Sequence, residues 1–297
     1  MRGLIFTCFL ALFLLPSFLT ELGNAGEIEG RSFYSRTLDR VYPYQIYLPT
    51  GYDSGRGRYP VLYLLHGSRN GEKAWVKSGR IQEVLDRLIA EEKLPPVLAV
   101  MPGHRGAWWI DNGRDQAETA LISDLIPNID QTYRTVGSRE GRMIAGASAG
   151  GYGAVRFAIR YPDLFIAAAA LSPAVYHPLP PGNSAAYREP AFLDDGVFDA
   201  VLWHDRDYRT DLPAYLEKRQ PVAFYIAVGF ADEFGIVDDA QALFNQLKDT
   251  HRDQLFFDLR SGNHSWRFWR ETLEQGLVFM SRYIQRPASA SLIPSPN

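Results

Sequence analysis

Met143-Ile144-Ala145-Gly146-Ala147-Ser148-Ala149-Gly150-Gly151-Tyr152-Gly153-Ala154 reads as an apolar strand, a tight turn with Ser148 at its tip, and a helix running on towards Tyr161-Pro162. So sharp a reversal brings the residues two before and two after the serine together, where side chains would collide. Glycine at 146 and 150 removes the collision. Such a turn holds its serine in strained backbone geometry, with the hydroxyl exposed above the sheet. The next amide, that of Ala149, opens the helix with an unsatisfied N–H able to bind an oxyanion. Taken alone, Gly-x-Ser-x-Gly also fits a tightly packed strand–helix junction, so its chemistry depends on whether an acid and a base follow in order.

Outward from this turn the chain alternates. Apolar runs at 60–65, 97–101, 142–145, 165–171, 222–228 and 255–259 read as strands. Helical spacing appears in Ile81, Val84, Leu85, Leu88 and Ile89, then over 119–131, over 238–247, and in Trp266, Trp269, Leu273, Leu277 and Met280. Ahead of them, 32–38 and 41–48 alternate apolar with polar residues and read as antiparallel strands joined at Asp39-Arg40. Repeated strand–helix units imply an α/β fold, a mainly parallel central sheet with helices on both faces. The stretch 172–212 reads as irregular, and 174–211 within it either as a lid-like insertion over the site or as a solvated loop.

Met1-Arg2, an apolar run from Leu4 to Leu15, Pro16 and a polar transition to Gly26 describe a secretory signal peptide over residues 1–25. The run is too short for an ordinary membrane span. Without a clean Ala-x-Ala, a retained N-terminal anchor is the alternative; either way the remainder is expected to be secreted or periplasmic. No membrane span is expected after cleavage. The one cysteine, Cys8, lies inside that run, so the mature chain is expected to have no disulfide, no thiolate metal site and no cysteine nucleophile. The formal net charge of −3 gives a nucleic-acid partner no support. Residues 26–285 read as one domain and 286–297 as a flexible tail.

An acid and a base do follow. Gly229-Phe230-Ala231-Asp232-Glu233-Phe234 comes after one late strand and Arg260-Ser261-Gly262-Asn263-His264-Ser265-Trp266 after the next. The order Ser148, Asp232, His264, each in a loop at a strand's carboxyl end, suits a nucleophile, an orienting acid and a general base. Glu233 is the competing carboxylate, expected to point the other way along an extended loop. His66, in the loop after 60–65, reads as a structural hydrogen-bonder. His104, His177, His204 and His251 read as surface residues, and no histidine pair has zinc-ligand spacing, so neither metal nor cofactor is expected. Trp108 and Trp109 either line an aromatic or sugar-binding cleft or fill the base of their loop.

These residues resemble the esterase D-like branch of the α/β hydrolases, which includes feruloyl and acetyl xylan esterases, enterochelin esterases, S-formylglutathione hydrolases and mycolyltransferases. The resemblance lies in Leu64-Leu65-His66-Gly67, Met101-Pro102-Gly103 leading to Trp108-Trp109, Asp124-Leu125-Ile126-Pro127, Gly146 to Gly151, Gly229 with Asp232, and Gly262 to Trp266. It implies the α/β-hydrolase fold, Ser148, Asp232 and His264 as a triad, and the backbone N–H groups of Ser68 and Ala149 as an oxyanion hole. An exported chain is badly placed for S-formylglutathione hydrolysis, a cytosolic reaction in that branch. The expectation is therefore an exported serine esterase acting on a small-molecule or carbohydrate ester, feruloyl and acetyl esters among them. A secreted acyltransferase with the same triad and a non-catalytic binding protein on this fold are the alternatives.

Overall fold

The computed structural model describes residues 25–104, 108–113 and 115–285. The expected signal peptide up to residue 24, Cys8 within it, and the expected tail 286–297 lie outside the described residues. The chain opens with β1 (Glu27–Ser35), β2 (Arg40–Leu48), β3 (Val61–Leu65), α1 (Ala74–Lys77), α2 (Ile81–Ala90) and β4 (Leu98–Pro102). It continues through α3 (Ala117–Ala120), α4 (Ile126–Thr132), β5 (Arg142–Ala147), α5 (Ala149–Arg160) and β6 (Ala167–Leu171). Then come β7 (Leu193–Asp194), β8 (Val197–Phe198), α6 (Ala200–Asp205), α7 (Tyr208–Glu217), β9 (Ala223–Gly229), α8 (Ile236–His251), β10 (Leu255–Arg260) and α9 (Trp266–Met280).

Eight strands form one sheet in the order β1-β2-β4-β3-β5-β6-β9-β10. The β1–β2 and β2–β4 pairs are antiparallel, and every pair from β4 to β10 is parallel. The two faces are sorted by the period-2 alternation of the strands. Tyr63, Leu65, Ile144 and Val228 face Val155, Phe157 and Leu243 of α5 and α8, whereas Leu62, Leu64, Met143 and Ala227 face Leu85, Leu88, Leu273 and Leu277 of α2 and α9. Each Leu, Ile, Val, Phe or Met side chain among them, taken wholly out of water, contributes about 1.5–3 kcal/mol before conformational entropy is set against it. Chain order reverses between β3 and β5, so the loops after these strands diverge around a crevice at their carboxyl ends, where open α/β sheets bind ligands.

Two expectations are corrected. The helix read at 119–131 is broken: between α3 and α4 the residues Leu121–Leu125 make one π-helical stretch. Pro127, at the start of α4, has no N–H to donate back along an α-helix, and the wider turn precedes it. The stretch read as irregular, 172–212, contains the β7–β8 ribbon, α6 and the start of α7. The helices begin at Asp199 and Asp207, whose carboxylates cap the first amides, a signal masked by the Pro-, Gly- and charge-rich sequence around them. Tyr152 and Arg156 of α5 both donate to the Arg206 carbonyl, tying this insertion to the helix that follows Ser148.

Candidate active site

The β5–α5 turn has the geometry its glycines anticipate. Ser148 sits at φ +59°, ψ −121°, a region costly for any residue with a Cβ. A Cβ on Gly146 would stand 2.2 Å from the Gly150 carbonyl oxygen, and one on Gly150 would stand 2.3 Å from the Leu65 carbonyl oxygen. Only glycine lets turn and neighbouring strand approach so closely. Around the serine, Ser148 N–H donates to the Leu171 carbonyl and the Ala174 N–H to the Ser148 carbonyl, fixing the turn against the end of β6.

His264 lies between Ser148 and Asp232. Its Nε2 is 2.8 Å from Ser148 Oγ and its Nδ1 is 2.8 Å from Asp232 Oδ2. The Asp232 side chain is 0% exposed, and its other oxygen accepts the Phe234 N–H at 3.1 Å. With a carboxylate at Nδ1, the ring carries its proton there and offers a lone pair to the serine hydroxyl. Phe234 and Trp269 meet the imidazole edge-on, with centroids 4.7 and 5.0 Å away, so the ring cannot swing freely. Glu233 does not point away as expected: its carboxylate accepts the His264 backbone N–H at 3.1 Å, bracing the loop rather than the ring.

Ser68, in the loop after β3, and Ala149, at the start of α5, border the same turn. Among the described residues neither backbone N–H has an acceptor, leaving two donors for an oxygen of developing charge. His66 steadies the Ser68 loop from beneath. Burial lowers its pKa to about 4, so the ring is neutral; Nδ1 donates to the Gly67 carbonyl at 2.9 Å and Nε2 accepts from the His104 N–H at 3.3 Å. Two histidines read as surface residues are instead buried. His104 lies 3.1 Å from Asp115, whose carboxyl burial pushes up but His104 and Arg40 together bring down to about 2. His251, the last residue of α8, bonds Tyr215 Oη and the Leu247 carbonyl. A histidine in a polar stretch carries no local mark of burial. His177 and His204 are exposed.

A cavity of about 230 Å³ opens over Ser148 and His264. Trp108, Tyr176, Phe234 and Trp269 give it aromatic walls, and burial raises the Tyr176 phenol well above its ordinary pKa, so that group is neutral. Trp109 corrects the expectation of a paired cleft. Its side chain points into the core, Nε1 donating to the His66 carbonyl at 3.0 Å, and it does not line the cavity. Its own backbone has φ +57°. The insertion supplies Tyr176, Asn183, Ser184 and Arg188 to the wall, so part of it borders the site instead of forming a solvated loop. Nothing local marks Trp269 or Phe234 as wall residues: one sits in a helical apolar spacing and the other follows a carboxylate pair. Among the described residues no group of three or more His, Cys, Asp and Glu is gathered as a metal set, and no helix is long and apolar enough to cross a membrane.

A family model described as "Putative esterase" matches residues 35–280. An endo-1,4-beta-xylanase/feruloyl esterase of Xylanibacter ruminicola is 32% identical over 169 residues, 52% of this chain and 23% of that protein. An esterase of Mycobacterium tuberculosis is 30% identical over 232 residues, 70% of this chain and 48% of that protein. The chain thus spans less than half the length of these two curated relatives. Among solved structures, a ferulic acid esterase superimposes with TM-score 0.73 at 28% identity, covering 88% of this chain and 99% of that one. The architecture shared is the α/β-hydrolase fold.

Proposed function

The chain belongs to the esterase family that this model defines, and on that premise we propose that it is an exported serine hydrolase cleaving carboxylic esters through Ser148, His264 and Asp232. The observation that carries the reading is the unbroken relay of two 2.8 Å hydrogen bonds from Ser148 Oγ through the His264 ring to a wholly buried carboxylate. In the first step Ser148 Oγ attacks the acyl carbon while His264 Nε2 takes the hydroxyl proton. The negative oxygen so formed sits against the Ser68 and Ala149 amides. Collapse of that intermediate breaks the ester bond, and His264 returns the proton to the departing alcohol. Water, deprotonated by the same nitrogen, then releases the acid and restores Ser148. Asp232 stays ionised throughout and stabilises the imidazolium.

In this reading residues 1–25 direct export, residues 26–285 are the hydrolase domain and 286–297 form a tail. The substrate class is a small-molecule or carbohydrate ester, feruloyl and acetyl esters among the candidates. The cavity volume and aromatic walls support a compact acyl group, and two of the similar proteins carry feruloyl or ferulic acid esterase in their names. The test is turnover of a short-chain aryl ester by the purified protein and its Ser148→Ala variant. Loss of roughly four or more powers of ten in kcat, with the melting transition kept, is expected; retention of a tenth of the activity would remove Ser148 from the mechanism.

A further inference from the structure

Among the described residues that line the catalytic cavity, the permanent charges are two arginines, Arg69 and Arg188, and no Asp or Glu is present. The chain as a whole has the opposite balance, with a formal charge of −3. Asp232 is not among the lining residues: its side chain is wholly buried and accepts from the far side of the His264 ring. The two arginines come from different parts of the chain, Arg69 from the β3 loop directly after Ser68 and Arg188 from the 3₁₀ turn Ala185–Arg188 of the insertion. Neither guanidinium has an ion pair or hydrogen bond among the described residues, whereas Arg40, Arg142, Arg156 and Arg209 each close on a carboxylate. Arg69 is also held at φ +61°, a left-handed backbone that a residue with a Cβ adopts at a cost, in a loop bordering the reacting serine. Strain of this kind persists where the surrounding structure enforces it and gathers at functional sites.

We infer that the substrate is an ester bearing a carboxylate, held by Arg69 and Arg188 while Ser148 acts on the ester bond. The inference rests on the hydrolase reading above and names the substrate class more narrowly. Guanidinium groups match a carboxylate's two oxygens in a planar fork. Around a cleft with apolar walls, charges of one sign concentrate the field on an incoming anion. A neutral feruloyl or acetyl ester offers the two guanidinium groups oxygen acceptors but no opposing charge.

The test pairs substrates that differ in charge and little else: the monoaryl ester of adipate against the aryl ester of hexanoate for charge on the acyl side, and an acetylated glucuronate against an acetylated glucose for charge on the alcohol side. In at least one pair the anionic member should be preferred about tenfold or more in kcat/KM at low salt, with the preference shrinking as ionic strength rises through roughly 0.5 M. Arg69→Gln with Arg188→Gln should lower that anionic-to-neutral ratio at least about fivefold, mainly through KM, and Arg188→Lys, which keeps the charge but loses the fork, should fall between the native protein and the double variant. Equal kcat/KM within both pairs, or a ratio untouched in the double variant, overturns the inference. Calorimetric binding of the same esters to Ser148→Ala separates the two readings. Preferential binding of the anionic member without turnover by the native protein would tell against the hydrolase alone, and equal binding would tell against the arginine pair.

Discussion

Gly229, the last residue of β9, and Gly262, just beyond β10, pack backbone against backbone: a Cβ on Gly229 would stand 2.3 Å from the Gly262 carbonyl oxygen. That same carbonyl accepts the Ala231 N–H at 2.9 Å, so the loops carrying Asp232 and His264 are joined within three residues of each functional side chain. Gly229→Ala must push them apart. A displacement on the order of 1 Å in the relay should cost about 10²-fold in kcat. A variant with native kcat would show that the contact does not set the geometry.

Asp232 and Glu233 both reach His264, at different atoms. Asp232 accepts from the ring and Glu233 from the backbone amide. An amide at 232 would present an N–H where an acceptor is required, so Asp232→Asn should lower turnover by roughly a few thousandfold or more with KM little changed. Glu233→Gln keeps an oxygen for the His264 amide and should cost under about tenfold. The reverse ranking of kcat would transfer the acid's role to Glu233.

Asp239 of α8 predicts a pH effect on stability. Burial raises its pKa to about 6, while the His177 N–H it accepts and Arg209 act against that shift and the nearby Asp238 and Asp207 add to it. In the unfolded chain an aspartate titrates near about 3.9. Between these values the folded state binds more protons, so this group's contribution falls as pH rises from about 4 to about 6 and then stays level. Asp239→Asn removes the titration and keeps an acceptor. The melting temperature of the variant relative to the native protein should therefore climb over that window and flatten above it; an offset independent of pH would contradict the assignment.

Glu118 and Arg156 form a buried pair, 3.1 Å apart with side chains 7% and 3% exposed. Arg160 and Tyr161 also bond Glu118, and Arg156 reaches the Arg206 carbonyl in the insertion. Glu118→Ala leaves the Arg156 guanidinium buried without its carboxylate and should destabilise by about 3–5 kcal/mol in denaturant titration. A change under about 0.5 kcal/mol would mean the pair is solvated in solution.

The positions of the strands and the three residues joined by the relay were legible because both rest on local pattern; the strand order, set by pairing between distant segments, was not. Apolar runs such as 60–65 and 222–228 mark strands covered on two faces, and loops after them bring Ser68, Ser148, Asp232 and His264 to one edge. The cavity wall was not. Tyr176 and Arg188 come from a segment whose short helices and turns lack periodicity, and Trp269 sits in a spacing that any core helix shows. Two adjacent tryptophans look alike in sequence; it is Trp108 that lines the cavity, while Trp109 bonds the His66 carbonyl. The burial of His104 and His251 goes with partners outside their own stretch, His66 and Asp115 in one case and Tyr215 in the other.

The most direct test of the central claim is the mass of the protein after treatment with an alkyl fluorophosphonate, followed by mapping of the modified peptide. One phosphonyl group per chain is expected, on Ser148, with labelling abolished in Ser148→Ala and strongly slowed in His264→Ala. An adduct on any other serine, or none on a folded protein under conditions where the aryl ester is hydrolysed, would contradict the relay as the source of activity.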